Sequence, residues 1–130
     1  SSESRGLGDV YKRQNFYEPL VHNMPSDAGI KPVFAQWMFY HKDINLIQDK
    51  GDIFIKAWMD NGATGGSVGR MNGKDNGSFG FAVRFNTMKE YGLAQDKLNG
   101  DNFWSDHKDF LDEVEPRGMS LVRILETNWE

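Results

Sequence analysis

The sequence predicts an α+β domain in which a mainly antiparallel sheet, arranged as a barrel or a sandwich, carries one or two short helices. Three observations support this fold class. Apolar and aromatic residues are concentrated in four or five short segments typical of strands, two Asn-Gly pairs mark a tight hairpin, and one segment has helical periodicity. The order of these segments has no regular β-α-β alternation, which favours antiparallel pairing.

Length and composition limit the classes of protein that the chain can belong to. Its 130 residues are enough for one domain with one hydrophobic core, and 38% hydrophobic content is typical of a globular protein. The net charge of −4 provides no basic surface, so we expect no nucleic-acid partner. No apolar stretch approaches the roughly 20 residues that span a bilayer, so we expect no membrane partner either. A small molecule or a glycan is the expected kind of ligand, and the absence of cysteine excludes thiolate metal sites.

The first fourteen residues differ from the rest of the chain, because they are polar and have no hydrophobic period. Their sequence, SSESRGLGDVYKRQ, resembles the translated read-through of a sequencing adapter that contaminates some metagenomic gene models. This resemblance implies that residues 1–14 are a non-native leader, which is not expected to belong to the folded domain. Residues 15–130 are then expected to be a single domain that lacks its true N-terminus.

The segment 15–31 is predicted to be irregular, because Pro19, Pro25 and Gly29 interrupt it. The run that follows, VFAQWMFYHKD at 33–43, is predicted to be the strand around which the domain is organised. Alternation along a strand directs every second side chain to the same face. The residues that would share one face are Val33, Ala35, Trp37, Phe39, His41 and Asp43.

A turn around Gly51 and a second strand are predicted next. In the segment 52–60, DIFIKAWMD, Ile53 and Ile55 would lie on one face and Trp58 on the other. The glycine-rich segment 61–66 is predicted to be a loop. It is not expected to bind phosphate, because no Gly-Lys-Ser or Gly-Lys-Thr sequence follows it.

A hairpin, two helices and a last strand complete the prediction. Segments 67–71 and 78–86 flank NGKDNG and are expected to pair as a hairpin. Segment 87–99 is predicted to be a short helix, and 101–114 is the clearest helix, with an apolar stripe opposite a run of acidic residues. Segment 119–126 is the final strand.

One pattern points to metal chemistry. His41-Lys42-Asp43 closes a strand, Gly65-Gly66 follows a second apolar strand, and His107 stands ten residues before Arg117. Two histidines and one carboxylate with open coordination positions are the ligand set of non-haem Fe(II) oxygenases. From Trp37 to Ile124, the order of these features resembles that of Fe(II)/2-oxoglutarate-dependent oxygenases.

That resemblance implies both a cofactor and a site. His41, Asp43 and His107 would bind Fe(II), and Arg117 would bind the far carboxylate of 2-oxoglutarate, with Arg123 as a second candidate for that role. The chain would then be a possible oxygenase domain.

Two non-enzymatic interpretations remain open. Trp37, Tyr40, Phe54 and Trp58 would present flat rings to a sugar if they shared a surface, which would make the chain a carbohydrate-binding module. A structural subunit of a virion or surface fibre fits the tight hairpins equally well. The sequence does not separate these alternatives from the oxygenase.

Overall fold

The computed structural model describes residues 15–26, 31–73 and 77–123. These residues form a single five-stranded antiparallel sheet with helices on one face, so the α+β, mainly antiparallel prediction is confirmed. Within the described residues the sheet is open: it does not close into a barrel, and no second sheet packs on it. Its strands are β1 (Asn15–Asn23), β2 (Val33–Tyr40), β3 (Gly65–Gly73), β4 (Ser78–Phe85) and β5 (Glu115–Arg123).

The helices follow β2 and β4 in the chain. They are α1 (Ile44–Asp60), α2 (Met88–Gly100), α3 (Phe103–Asp106) and α4 (Lys108–Glu113). None of these described helices is long and apolar enough to cross a membrane.

The spatial order of the strands is β1-β3-β4-β2-β5. Because β2 and β3 each pair antiparallel with β4, they run parallel to one another and are joined through α1. In the same way, β4 and β5 run parallel on either side of β2 and are joined through α2, α3 and α4. These two interleaved units form the split β-α-β-β-α-β arrangement of ferredoxin-like domains, with β1 added at the β3 edge.

Alternation within the strands explains why all helices pack on one face. On β4, Phe79, Phe81, Val83 and Phe85 are buried beneath the helices. On β2, Val33, Ala35 and Phe39 are buried on that face, as the sequence pattern predicts.

The prediction of a turn and a second strand within 48–60 is wrong, because this segment belongs to α1. Its buried residues are Ile47, Gly51, Phe54, Ile55 and Trp58, spaced by three or four positions along one helical face. The residues 41–43 also leave the predicted strand, since β2 ends at Tyr40.

The segment 15–31 is not wholly irregular, because its first part forms β1. Pro19 is compatible with this strand since β1 lies at the sheet edge, and the register shifts between Pro19 and Val21. The predicted non-native leader at 1–14 lies outside the described residues.

Of the four later predictions, two are confirmed and two need smaller changes. The hairpin and the helix at 87–99 are confirmed, and the Thr87 hydroxyl caps α2 by accepting from the backbone N–H of Glu90. The predicted helix at 101–114 starts only after Asn102, which has a left-handed φ of 59°, and it is divided into two short helices at His107. The last strand begins earlier than predicted, at Glu115.

Candidate functional site

A cavity of about 640 Å3 lies between the sheet and the helices. Strands β2, β3 and β4 form its floor, α1 forms one wall, and α2, α3, α4 and the start of β5 surround the rest. Seven aromatic side chains line it: Trp37, Phe39, Phe54, Trp58, Phe81, Trp104 and Phe110.

Contacts between these rings hold the wall in place. The ring of Trp37 lies 5.8 Å from that of Trp58 and 5.9 Å from that of Phe81. Across the cavity wall, Phe54 meets Trp104 edge to face at 5.6 Å. Such tilted and edge-to-face pairs add to the stability that burial provides and restrict ring rotation. The cavity is therefore bounded by rings that support one another.

Gly51 determines how closely α1 approaches the floor. A Cβ atom at this position would lie 2.6 Å from Cγ1 of Val68 on β3. Only glycine allows the helix backbone to approach the sheet this closely, and both residues line the cavity. The glycine that interrupts the sequence pattern of α1 is thus part of the cavity wall.

The mouth of the cavity is formed by exposed residues of α2 and β5. Gln95 and Asn99 are four residues apart on α2 and therefore share a face, and Met119 of β5 is 49% exposed. Neither side-chain amide hydrogen-bonds to another described residue. Gln95 and Asn99 are the two polar side chains in the described lining, and no charged side chain belongs to it.

This composition determines what the cavity can bind. An ionised ligand would lose its hydration in the ring-lined interior, and the described lining offers no opposite charge to compensate. A flat apolar molecule would meet ring faces and edges on several sides, while Gln95 and Asn99 offer hydrogen bonds to a polar group near the mouth. The cavity therefore suits an uncharged molecule that carries rings.

His41, the first of the predicted metal ligands, is packed inside the domain and hydrogen-bonded to its neighbours. Its side chain is buried and stacks on Phe110, with ring centroids 4.9 Å apart. The backbone N–H of Asp43 donates to Nδ1 at 3.0 Å, which places the proton on Nε2. Nε2 in turn faces the Glu113 carboxylate at 3.2 Å. Both ring nitrogens of His41 are therefore engaged within the protein.

Asp43 is the N-cap of α1. Its Oδ1 accepts hydrogen bonds from the backbone N–H groups of Asn45 and Leu46, both at 3.1 Å. A carboxylate at this position satisfies two donors that the helix leaves unpaired and interacts favourably with the helix dipole. The His-x-Asp sequence thus marks the junction between β2 and α1.

His107 lies at the junction between α3 and α4, where Lys50 donates to its Nδ1 at 2.9 Å. Burial and the positive charge of Lys50 lower the pKa of His107, whereas Asp106 acts in the opposite direction. The ring also packs edge to face against Phe54 at 5.2 Å. These contacts favour a neutral imidazole that joins the short helices to α1.

The three predicted iron ligands do not fit a metal centre. Each has separate partners, and within the described chain no group of three or more His, Cys, Asp or Glu side chains is placed to bind a metal ion. Arg117, the predicted 2-oxoglutarate anchor, lies over the Tyr40 ring at 5.1 Å and donates to the Ser78 hydroxyl at 3.0 Å. The side chain of Arg123 is outside the described part of the structure.

The four predicted sugar-stacking residues do not share a surface. Trp37, Phe54 and Trp58 line the cavity, and Trp58 is only 2% exposed. Tyr40 is 37% exposed, and strand alternation places it on the opposite face of the sheet. Three of the four aromatic residues therefore bound an interior space instead of forming an exposed platform.

The sequence does not predict the cavity, because the cavity depends on α1, α3 and α4. The pattern predicts a turn and a strand in place of α1, and one longer helix in place of α3 and α4. One signal was present: Ile47, Gly51, Phe54 and Trp58 have helical spacing, which predicts a single buried face. The contributions of Trp104 and Phe110 depend on the break at His107, which no pattern indicates. No protein-family model matches the chain, and no curated protein matches it either.

Proposed function

We propose that this domain binds an uncharged small molecule with a flat ring system in the cavity between its sheet and its helices. The observation that carries the proposal is the pairing of a volume of about 640 Å3 with a lining of seven aromatic rings and no charged residue among those described. Protein interiors are normally packed without voids of this size. Binding pockets for small molecules typically have volumes of about 300–1,000 Å3 and are mainly apolar.

The proposal is for binding and not for catalysis. The described lining supplies no ionisable side chain, so it offers no general acid, general base or charged nucleophile at the ligand. The two amides at the mouth, Gln95 and Asn99, would orient a polar substituent of the ligand. A small molecule is also one of the two kinds of ligand that are expected from the sequence.

The Fe(II)/2-oxoglutarate oxygenase remains a prediction from sequence order that the geometry does not support. His41 and Asp43 use their donor atoms at the start of α1, and His107 accepts from Lys50.

The test uses N-phenyl-1-naphthylamine, an uncharged fluorescent probe whose emission rises in apolar surroundings. With about 0.3 kcal/mol per heavy atom, a molecule of about 17 heavy atoms gains roughly 5 kcal/mol, which corresponds to a Kd on the order of 0.1 mM. We expect saturable binding of one probe per chain at this affinity or tighter. An emission that rises linearly without saturation, or no rise at all, would contradict the proposal.

Three variants test the location of the probe. Leu111→Trp adds volume to the cavity lining, and Gln95→Lys places a charge at the exposed mouth. Both are expected to weaken probe binding by about 10-fold, whereas Gln48→Lys on the exposed side of α1 leaves it unchanged. Equal affinities in all three variants would place the probe elsewhere, and circular dichroism confirms that each variant is folded.

A further inference from the structure

The sheet face opposite the helices carries no helix in the described chain. On this face, Tyr17, Met38 and Met71 lie over a floor of glycines. A Cβ on Gly69 would meet the Tyr17 ring at 2.4 Å, and a Cβ on Gly80 would meet the sulfur atoms of Met38 and Met71 at 3.5 and 3.6 Å. We call the surface formed by these residues together with Phe34, Gln36, Tyr40, Ser120 and Val122 the open sheet face.

Strand register shows that the centre of the open sheet face consists of small or uncharged residues. One row across the sheet consists of Gly69, Gly80, Met38 and Gly118, and the adjacent row consists of Ser67, Ala82, Gln36 and Ser120. The ring of Tyr17 covers Gly69, and Ser67 is only 5% exposed, so the accessible centre of the face is formed by Gln36 and Ser120. Apolar side chains at the margins remain accessible as well, since Tyr40 is 37% and Val122 is 42% exposed.

The two arginines near this face are engaged within the protein. Arg84 is 4% exposed, and its Nη1 donates to the Thr64 hydroxyl at 2.8 Å. Arg117 at the rim contacts Glu115, so the pair contributes no net charge. A highly charged partner would find no charged anchor here, and two such faces would meet without repulsion.

We propose that the open sheet face is the interface of a homodimer, in which it packs on the same face of a second copy of the chain. Five strands about 4.8 Å apart and four residue rows about 6.8 Å apart cover roughly 650 Å2 in projection. Side-chain relief brings this close to the about 800 Å2 per partner of a standard interface. A face of this width is also broader than the about 10 Å of a helix and matches a second sheet.

The dimer is tested by analytical ultracentrifugation of the full chain between about 1 and 100 μM. We expect the wild type to sediment at twice the monomer mass at the upper concentrations. Gln36→Arg places a charge at the exposed centre of the face, so two like charges would meet across the twofold axis. This variant is expected to associate at least about 100-fold more weakly.

The control is Gln48→Arg, the same substitution at an exposed position of α1 on the other side of the molecule. It is expected to dimerise like the wild type. Val122→Lys places a charge at the margin of the face. If Gln36→Arg is not folded, this second variant tests whether the open sheet face forms the dimer. A wild type that is monomeric at 100 μM, or a dimer unaffected by both face variants, would overturn the proposal.

Discussion

A Cβ atom added to Gly51 would lie 2.6 Å from Cγ1 of Val68, so helix α1 rests on strand β3 through a position that has no side chain. This contact fixes the height of the helix above the floor of the cavity. Two of the aromatic residues that line the cavity, Phe54 and Trp58, belong to α1, and both pack against Trp104 of α3.

Gly51→Ala is therefore expected to destabilise the domain. Alanine would favour the helix by about 1 kcal/mol, but overpacking against Val68 costs about 1–3 kcal/mol, so we expect a net loss of up to about 2 kcal/mol. Chemical denaturation measures this change in the free energy of unfolding. Gly92→Ala is the matched control in α2, where nothing lies within 4 Å of the added Cβ. It should stabilise by about 0.5–1 kcal/mol, and a stabilising Gly51→Ala would show that α1 does not approach β3 so closely.

The sequence predicts the sheet better than it predicts the cavity. Strands β2 and β4 are evident because apolar residues such as Val33 and Phe85 alternate with positions on the open sheet face. Helix α1 was mistaken for a turn and a strand because Gly51 interrupts it and because Ile53 and Ile55 are β-branched residues that favour strands.

The candidate site depends on tertiary packing that short patterns do not specify. The His-x-Asp sequence suggested a metal ligand pair, but a buried imidazole and a helix cap require the same residue types. Only the contacts of His41 with Glu113 and of Asp43 with the α1 backbone separate the two roles. The start of α3 likewise follows the left-handed Asn102, a backbone conformation that the hydrophobic pattern does not indicate.

His107 is expected to make the stability of the domain depend on pH. Because burial and Lys50 lower its pKa in the folded state below the usual 6.5, the native state favours the neutral ring. The contribution to stability is therefore present above about pH 6.5 and is lost as the pH falls through the lower folded value. The Tm of the wild type should fall more between pH 7.5 and 5.5 than that of His107→Gln, which keeps an acceptor for Lys50.

The same substitution at an exposed histidine serves as the control for this pH effect. His22→Gln should retain the wild-type decrease in Tm over the same range. If His107→Gln and the wild type lost equal stability on acidification, the contact with Lys50 would not favour the neutral ring.

Removing the His41 side chain is expected to cost about 3 kcal/mol in unfolding free energy. His41→Ala deletes a buried ring stacked on Phe110 and leaves the backbone N–H of Asp43 without its acceptor. Glu113→Gln should cost less than about 1 kcal/mol, because the carboxylate is 54% exposed and an amide oxygen can still accept from Nε2. Urea denaturation measures the loss of unfolding free energy in both variants. A larger loss for Glu113→Gln than for His41→Ala would contradict the assignment of His41 as the buried, stabilising member of the pair.

Divalent metal ions are expected to leave the stability of the protein unchanged. The donor atoms of His41, Asp43 and His107 are engaged in separate hydrogen bonds, so binding would have to break them. The measurement is the Tm under anaerobic conditions with excess Fe(II), with and without 2-oxoglutarate. A rise of several degrees that disappears in His41→Ala would contradict this prediction and revive the oxygenase hypothesis.

The most direct test of the proposed function compares 1-naphthol with 1-naphthoate by isothermal titration calorimetry at pH 7. The two ligands share a ring system, but the first is uncharged and the second is an anion. We predict that 1-naphthol binds once per chain with a negative heat-capacity change and at least about 10-fold more tightly than the anion, because the described lining offers no positive charge. Equal affinity for the two ligands, or no binding of either, would contradict the assignment of the cavity as a site for uncharged ring molecules.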